Sequence, residues 1–163
     1  MQCNALISSD RLYRYWLIRQ WTDAAPLLTF IGVNPSTADA YADDPTIRKD
    51  IGFAMRLGFG GILKLNLAAY RATKHRDCCA APDPIGPLNT PQHILGYAQQ
   101  FSSKDVIFCW GHHGRNFPSQ TQALELLFPT AKCFGKNPDG TPRHTLMLAY
   151  ATPLQDYCQK GGS

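Results

Sequence analysis

The sequence predicts an α/β fold, a three-layer α/β/α arrangement around a central, mainly parallel four-stranded sheet. Four apolar runs lack polar alternation, which is typical of strands buried on both faces of a parallel sheet. The runs are separated by segments with helical periodicity and by loops and turns. This order is typical of chains that alternate strands with helices. The four runs are 27–34, 62–67, 105–111 and 131–135.

The segment before the first of these runs predicts one more strand. Residues 11–19 are rich in aromatic and β-branched side chains, a composition that favours strands. We expect an antiparallel strand at the N-terminal edge of the sheet, paired to the strand that follows Pro26.

Capping residues predict where the helices begin. Asp44-Pro45 and Thr90-Pro91 each place a side-chain acceptor directly before a proline, which suits the first turn of a helix. Ser119 predicts the cap of a further helix through Leu127.

Length and composition indicate one ordinary globular domain. The chain has 163 residues, 44% apolar and 17% charged, with a formal charge of +4. We expect a single domain over 1–163, with its core at about 11–150 and a frayed tail at 158–163. The charge permits a polyanionic partner without requiring one.

The same features bear on location and assembly. The apolar runs are shorter than a membrane span, and residues 1–4 lack a basic stretch followed by an apolar one. We therefore expect a cytoplasmic monomer without a membrane partner. The six cysteines form no Cys-x-x-Cys pair, which favours reduced thiols.

Polar residues follow several of the predicted strands. Asn34 stands between Gly32 and Pro35, and Asn66 ends the next run. Because ligands of parallel sheets bind at the carboxyl ends of strands, we expect these residues to meet Gly111 and the Arg143-His144 pair at one edge.

These motifs resemble a known superfamily. Gly32-Val33-Asn34-Pro35-Ser36 resembles a motif of the mismatch-specific and thymine-DNA glycosylase branch of the uracil-DNA glycosylase superfamily. Residues 63–71 are similar to the strand whose asparagine reads the base in the classical enzymes, and residues 106–111 resemble their Trp-Gly strand. Arg143-His144-Thr145-Leu146 is the nearest match to the closing motif, with Pro142 before the histidine.

A second resemblance covers more of the chain. Six segments between residues 34 and 144 resemble a family of bacterial and phage proteins of unassigned function. These segments are 34–39, 43–48, 66–67, 70–73, 83–86 and 142–144.

The superfamily resemblance implies a uracil-DNA glycosylase-like fold and a DNA glycosylase-like hydrolase. Such an enzyme breaks the N-glycosidic bond of a flipped, modified or mismatched pyrimidine in DNA. Asn34 would position water, His144 would donate to a base oxygen and Asp43 would serve as an acid or base. The implied binding residues are Gly32, Pro35, Ser36, Phe53, Asn66, Arg71, Trp110, Gly111 and Arg143.

Several assignments have alternatives. An amide at position 34 cannot act as a general base, although classical members of the superfamily carry aspartate there, so Asn34 would only orient water. Asp44 is expected to cap a helix, and Phe53 has core packing as its alternative. The function of the whole protein has two alternatives. One is a transferase that modifies a pyrimidine base or nucleotide, and the other is a module that binds modified bases without turnover.

A metal centre is not expected. His112 and His113 follow a predicted strand, but no third ligand has suitable spacing, and His75 with Cys78 and Cys79 is a loose match. We therefore predict no metal and no cofactor, with DNA or a nucleotide as the partner.

Overall fold

A computed structural model describes residues 1–158, so residues 159–163 of the predicted tail lie outside the described part of the chain. The described residues form one sheet of seven strands in the order β1-β2-β4-β3-β5-β6-β7. The strands are β1 (Gln2–Ile7), β2 (Arg14–Gln20), β3 (Leu27–Gly32), β4 (Gly61–Asn66), β5 (Asp105–Phe108), β6 (Lys132–Cys133) and β7 (Gln155–Asp156).

The centre of the sheet contains the four predicted apolar strands. β3 pairs in parallel with β4 on one side and with β5 on the other, and β5 pairs in parallel with β6. The prediction of an α/β fold is confirmed. The sheet is larger than the predicted four strands and one N-terminal edge strand because β1 extends it at one side and β7 at the other.

The prediction for the N-terminal strand is wrong in its position. β2 matches the predicted segment, but β1 covers its outer side, and its inner partner is β4, with Leu17 opposite Lys64. β3 already has parallel neighbours on both sides, so it offers no edge for β2. β1 was not predicted, because its sequence QCNALI is half polar and lies at the exposed edge.

Two of the three predicted helix starts are confirmed. Helix α1 (Pro45–Arg56) begins after Asp44, whose Oδ1 accepts a hydrogen bond from the Ile47 amide at 2.9 Å. The short helix α2 (His75–Cys79) interrupts the long central loop, and Thr90 caps helix α3 (Pro91–Gln100).

The third predicted helix start is wrong by two residues, because the N-cap is Phe117 and not Ser119. Helix α4 (Pro118–Leu127) begins before Ser119, and its N-cap is Phe117, which provides no side-chain hydrogen bond. The fixed φ of Pro118 suits the first helical turn, so the helix starts at the proline without a polar cap.

Helices cover both faces of the sheet. Side chains of α1 pack with Phe30 and Ile62 on one face, whereas side chains of α3 and α4 pack with Leu63 and Leu65 on the other. Both faces of the central strands are therefore buried, which explains their continuous apolar sequences.

Two further expectations concern the cysteines and membrane-spanning helices. All six cysteines are free thiols, as predicted. Among residues 1–158, no helix has the length and apolar character needed to cross a membrane.

Candidate active site

A small polar cavity lies at the carboxyl ends of β3 and β4. Its volume is about 40 Å³, room for roughly one water molecule. Five of the predicted site residues, from three separate segments of the chain, line it together: Gly32, Asn34, Ser36, Asn66 and His144. The full lining is Arg14, Gly32, Val33, Asn34, Ser36, Asp44, Thr46, Ile47, Lys64, Asn66 and His144.

Gly32 makes room for two side chains of the neighbouring strand. A Cβ at this position would lie 3.0 Å from Asn66 Oδ1 and 3.1 Å from Lys64 Nζ. Such contacts are tighter than ordinary van der Waals packing, so a side chain here would displace both groups. The glycine therefore lets the Asn66 amide and the Lys64 ammonium lie beside the β3 backbone.

Asn66 presents an unused amide to the cavity. The residue is only 3% exposed, and its side chain makes no hydrogen bond to any other residue within 1–158. Its backbone oxygen accepts from Asn89 Nδ2 at 3.1 Å, which holds the end of β4 in place. Because a buried amide is costly without partners, this side chain is suited to a ligand or bound water.

His144 has a defined tautomer. The backbone amide of Leu146 donates to His144 Nδ1 at 3.2 Å, so Nδ1 carries no proton and Nε2 carries it. Burial and the nearby Lys64 ammonium lower the pKa of His144 below its ordinary value of 6.5. The side chain is therefore a neutral imidazole with one N–H donor near neutral pH.

The segment before His144 is held against the strand-end glycine. The Gly111 amide donates to Pro142 O at 2.9 Å, and a Cβ at Gly111 would lie 3.5 Å from His144 Cβ. Gly111 also adopts a φ of 67°, a conformation that glycine accepts without strain. The predicted proximity of Gly111 and His144 is thus present.

The Asn34 amide is anchored on its nitrogen side. Asn34 Nδ2 donates to Ala72 O at 3.0 Å and to Pro35 O at 3.1 Å. Its Oδ1 lies 3.2 Å from His75 Nδ1, which donates to it. Both N–H groups are used, and one lone pair of Oδ1 is left over.

A buried ion pair lies beneath the cavity. Lys64 Nζ is 2.7 Å from Asp50 Oδ2, and Thr145 Oγ1 donates to Asp50 Oδ1 at 2.6 Å. Burial opposes the charge of Lys64, but the Asp50 carboxylate outweighs it and raises the pKa of the lysine. This network was missed in the sequence. Its signal was a lysine within the apolar run of β4, since a charge in a doubly buried strand requires a partner.

Arg14 is a second buried cation, and it too was missed. The residue is 2% exposed and lines the cavity, with Nη1 donating to Ala38 O at 2.9 Å. Its Nε has no hydrogen-bond partner among the described residues. Burial lowers the pKa of Arg14 to about 10, while the Asp44 carboxylate acts in the opposite direction.

The two adjacent aspartates have different environments. Asp44 lines the cavity and caps α1, as expected for the cap. Asp43 Oδ1 lies 2.8 Å from Nε of the buried Arg19, and the residue is not part of the cavity lining. The prediction that Asp43 lies beside the site as acid or base is therefore corrected, because Arg19 holds its carboxylate elsewhere.

Two predicted aromatic residues belong to the core. Phe53 is 1% exposed and packs on Phe134 and Tyr150 with ring centroids 4.2 Å and 5.1 Å away. Trp110 is 2% exposed, with its ring 4.5 Å from that of Phe108. Neither lines the cavity, because Phe53 faces the sheet from α1 and Trp110 packs among aromatic rings.

The remaining predicted residues surround the site or lie away from it. Ser36 lines the cavity, and the adjacent Pro35 is buried. Arg71 Nη1 donates to Arg11 O at 3.3 Å, and Arg143 is exposed beside Gly135. Neither arginine contributes to the cavity lining.

The histidines that follow β5 form a stack with His75. The ring of His113 lies 4.1 Å from that of His75 and 4.4 Å from that of His112. Within the described residues, no three histidine, cysteine, aspartate or glutamate side chains are arranged to hold a metal ion.

The fold and cavity define an α/β protein with a polar site at the carboxyl edge of its parallel strands. Residues 14–146 match the family described as "Protein of unknown function (DUF1643)", and the chain belongs to this family. No curated protein and no solved structure matches the chain. These comparisons therefore do not link it to the uracil-DNA glycosylase superfamily.

Proposed function

We propose that this protein binds a pyrimidine base at the cavity and hydrolyses the N-glycosidic bond of that base in DNA. The observation that carries the proposal is that the Asn66 amide and the His144 imidazole line the same cavity. Asn66 offers a donor and an acceptor without partners in the described chain, and His144 offers one N–H donor. A pyrimidine edge presents complementary oxygen and nitrogen atoms, which amide groups recognise in flipped-base pockets.

A neutral His144 suits a reaction in which negative charge develops on the departing base. When the bond from the sugar C1′ to the base nitrogen breaks, negative charge develops on the base oxygens. The His144 Nε2–H donates to one of them, and fixed donors of this kind stabilise the transition state. Because burial favours its neutral form, His144 donates a hydrogen bond without first having to become charged.

Water activation is assigned to Asn34 and Asp44 together. The free lone pair of Asn34 Oδ1 accepts a hydrogen bond from water and orients it. Asp44 supplies the carboxylate that the asparagine lacks, and it lines the same cavity. In this scheme one Asp44 oxygen caps α1 and the other receives the water proton as the new C–O bond forms.

The cavity must enlarge before a base enters it. A volume of about 40 Å³ holds roughly one water molecule and no pyrimidine ring. Residues 33–44, which supply Asn34, Ser36 and Asp44, contain no helix or strand. Irregular segments open at lower free energy than strands, so we assign the opening to this wall.

A base-binding module without turnover is the second candidate. The anchored nitrogen of Asn34 favours it, because a fixed amide stabilises a binding site more directly than it promotes hydrolysis. This candidate uses the same Asn66 and His144 contacts and differs only in the absence of bond cleavage.

One assay separates the two candidates. Duplexes carrying uracil, mismatched thymine or 5-substituted pyrimidines are incubated with the protein, and released base and abasic sites are measured. Release of a base supports hydrolysis, while saturable binding to the same duplexes without release supports the module. Neither release nor binding on any duplex would refute both.

Variants assign the activity to the cavity. Asn66→Ala is expected to abolish release without lowering the melting temperature, since its side chain has no partner in the described structure. Asn4→Ala is the matched control, because Asn4 is exposed on β1 at the far edge of the sheet. Equal release by both variants would show that the cavity is not the active site.

A further inference from the structure

A cysteine, a histidine and an asparagine form a hydrogen-bonded row that starts at Asn34 in the cavity lining and leads away from the cavity. Cys79 Sγ lies 3.2 Å from His75 Nε2, and His75 Nδ1 lies 3.2 Å from Asn34 Oδ1. A separate groove of about 890 Å³ passes over Cys79 and His75. The thiol has the position of a nucleophile, and the imidazole next to it has the position of its base. The amide oxygen has the position of the group that orients the base.

The local fold explains this arrangement. His75 and Cys79 are the first and last residues of α2, four positions apart, so their side chains share one face of the helix. Asn34 reaches the row from the end of β3, and its Nδ2 is engaged by Ala72 O and Pro35 O. Its Oδ1 therefore faces His75, which places the histidine proton on Nδ1. The lone pair of Nε2 then faces both Cys79 Sγ at 3.2 Å and Asn116 Nδ2 at 2.8 Å.

The charge state of His75 suits a base. Burial, together with the neighbouring His113 and His112, lowers the pKa of His75 below 6.5. A neutral imidazole keeps the lone pair needed to accept a thiol proton. Cys79 is exposed, whereas the adjacent Cys78 is buried and has its pKa raised to about 12.

We propose that Cys79 is a nucleophile activated by His75 and that the groove binds an acyl ester or thioester. The walls beside the thiol are apolar and suit the acyl chain. Asn116 also lines the groove, and its Nδ2 lies 2.8 Å from His75 Nε2. In this scheme the Asn116 amide turns to the carbonyl oxygen of the bound ligand and leaves Nε2 to accept the thiol proton. The apolar lining is provided by Ala80, Pro84, Ile85 and Phe117.

The reaction balances without a redox partner. A bond forms between Cys79 Sγ and the acyl carbon, and the bond from that carbon to the alcohol or thiol leaving group breaks. The thiol proton passes to His75 Nε2 and then to the leaving oxygen or sulfur. Water attacks the resulting thioester, releases a carboxylic acid and restores the thiol. No nucleic acid takes part, so the proposal does not depend on glycosylase activity.

The full chain itself provides the first test. The protein is treated with p-nitrophenyl acetate at about pH 7, and the acetylation of each cysteine is followed by peptide mass spectrometry. Cys3 and Cys158 are also exposed and serve as internal controls. We expect Cys79 to be acetylated at least about tenfold faster than either control, with p-nitrophenolate released in step. Equal rates at the three thiols would overturn the proposal.

Variants test the roles of His75 and Asn34. His75→Phe keeps an aromatic ring against His113 and is expected to slow Cys79 acetylation to the rate of Cys3. The same change at a histidine outside the groove lining, His93→Phe at the start of α3, is expected to keep the rate within about twofold. Asn34 is a positioning residue. Asn34→Ala is expected to slow acetylation, and Asn34→Asp to restore it through an oxygen that accepts from Nδ1–H. An unchanged rate in His75→Phe would refute the assignment of the base.

Discussion

Lys64 Nζ lies 2.7 Å from Asp50 Oδ2 in the interior, with both side chains at most 4% exposed. The pair joins the centre of the sheet to α1, and Thr145 brings the segment after His144 to the same carboxylate. This contact connects three elements that form the floor and one wall of the cavity.

Breaking this pair on one side should strongly destabilise the protein. Lys64→Met leaves the Asp50 carboxylate buried without its counter-charge, and we expect a loss of about 3–5 kcal/mol in the free energy of unfolding. Urea denaturation measures it. The double variant Lys64→Met with Asp50→Leu should recover most of the loss, because no unpaired charge remains.

A surface pair of equal length provides the control. Lys132 Nζ lies 2.8 Å from Asp156 Oδ1, but these side chains are 48% and 71% exposed. Lys132→Met should change stability by less than about 1 kcal/mol. A similar loss in Lys64→Met and Lys132→Met would show that burial does not govern the strength of the interior pair.

Gly32→Ala should disturb the cavity and lower stability. The new Cβ meets Asn66 Oδ1 and Lys64 Nζ at 3.0–3.1 Å, and such overpacking costs about 1–3 kcal/mol. Base release or base binding should fall together with the stability. The control is Gly96→Ala in α3, where no atom lies within 4 Å of the added carbon. Gly96→Ala should stabilise the helix by up to about 1 kcal/mol, and a loss there would contradict the packing argument.

Substitutions of the two adjacent aspartates should have different effects, one mainly on activity and the other mainly on stability. Asp44→Asn keeps a good helix cap but removes the carboxylate from the cavity, so base release should fall about 10²-fold or more. The melting temperature should fall only modestly, because the buried Arg14 loses a nearby negative charge but the cap remains. Asp43→Asn should keep release and lower the melting temperature, since the buried Arg19 loses its ion pair. The reverse pattern, measured with the same duplex, would assign the carboxylate role to Asp43.

Stability should fall as the pH drops below about 6.5. Burial lowers the pKa values of His144, His75 and His113 in the folded state. The unfolded chain then binds more protons, so the contribution is present above the unfolded pKa and is lost as pH falls toward the folded values. Chemical denaturation at several pH values measures this slope.

Variants locate the source of the pH dependence. His144→Gln should reduce the slope between about pH 7 and pH 5, because the variant has no proton to bind there. His93→Gln is the control, since His93 is an exposed capping partner of Thr90 on α3. An unchanged slope in His144→Gln would show that its burial has no role in the acid response.

The sequence was most informative where local patterns sufficed. The apolar runs predicted the four parallel strands, and the residues before Pro45 and Pro91 predicted two helix starts. Gly32, Asn34, Asn66 and His144 were predicted to converge because strand ends share one edge of a parallel sheet. Ser119 failed as a cap because a helix also begins at a proline without a polar cap.

Side-chain partners were decided by the tertiary structure. The Asp44-Pro45 pair predicted the helix cap, but local patterns could not show that Arg19 from β2 binds Asp43 or that Asp44 lines the cavity. The burial of Phe53 against Phe134 and the meeting of Cys79, His75 and Asn34 join segments far apart in the chain. Periodicity and capping are local, so the sequence by itself determined the elements and the edge at which the site lies. Long-range packing alone decided which side chains face the cavity and which pair in the interior. It also decided which side chains form the hydrogen-bonded row of Cys79, His75 and Asn34.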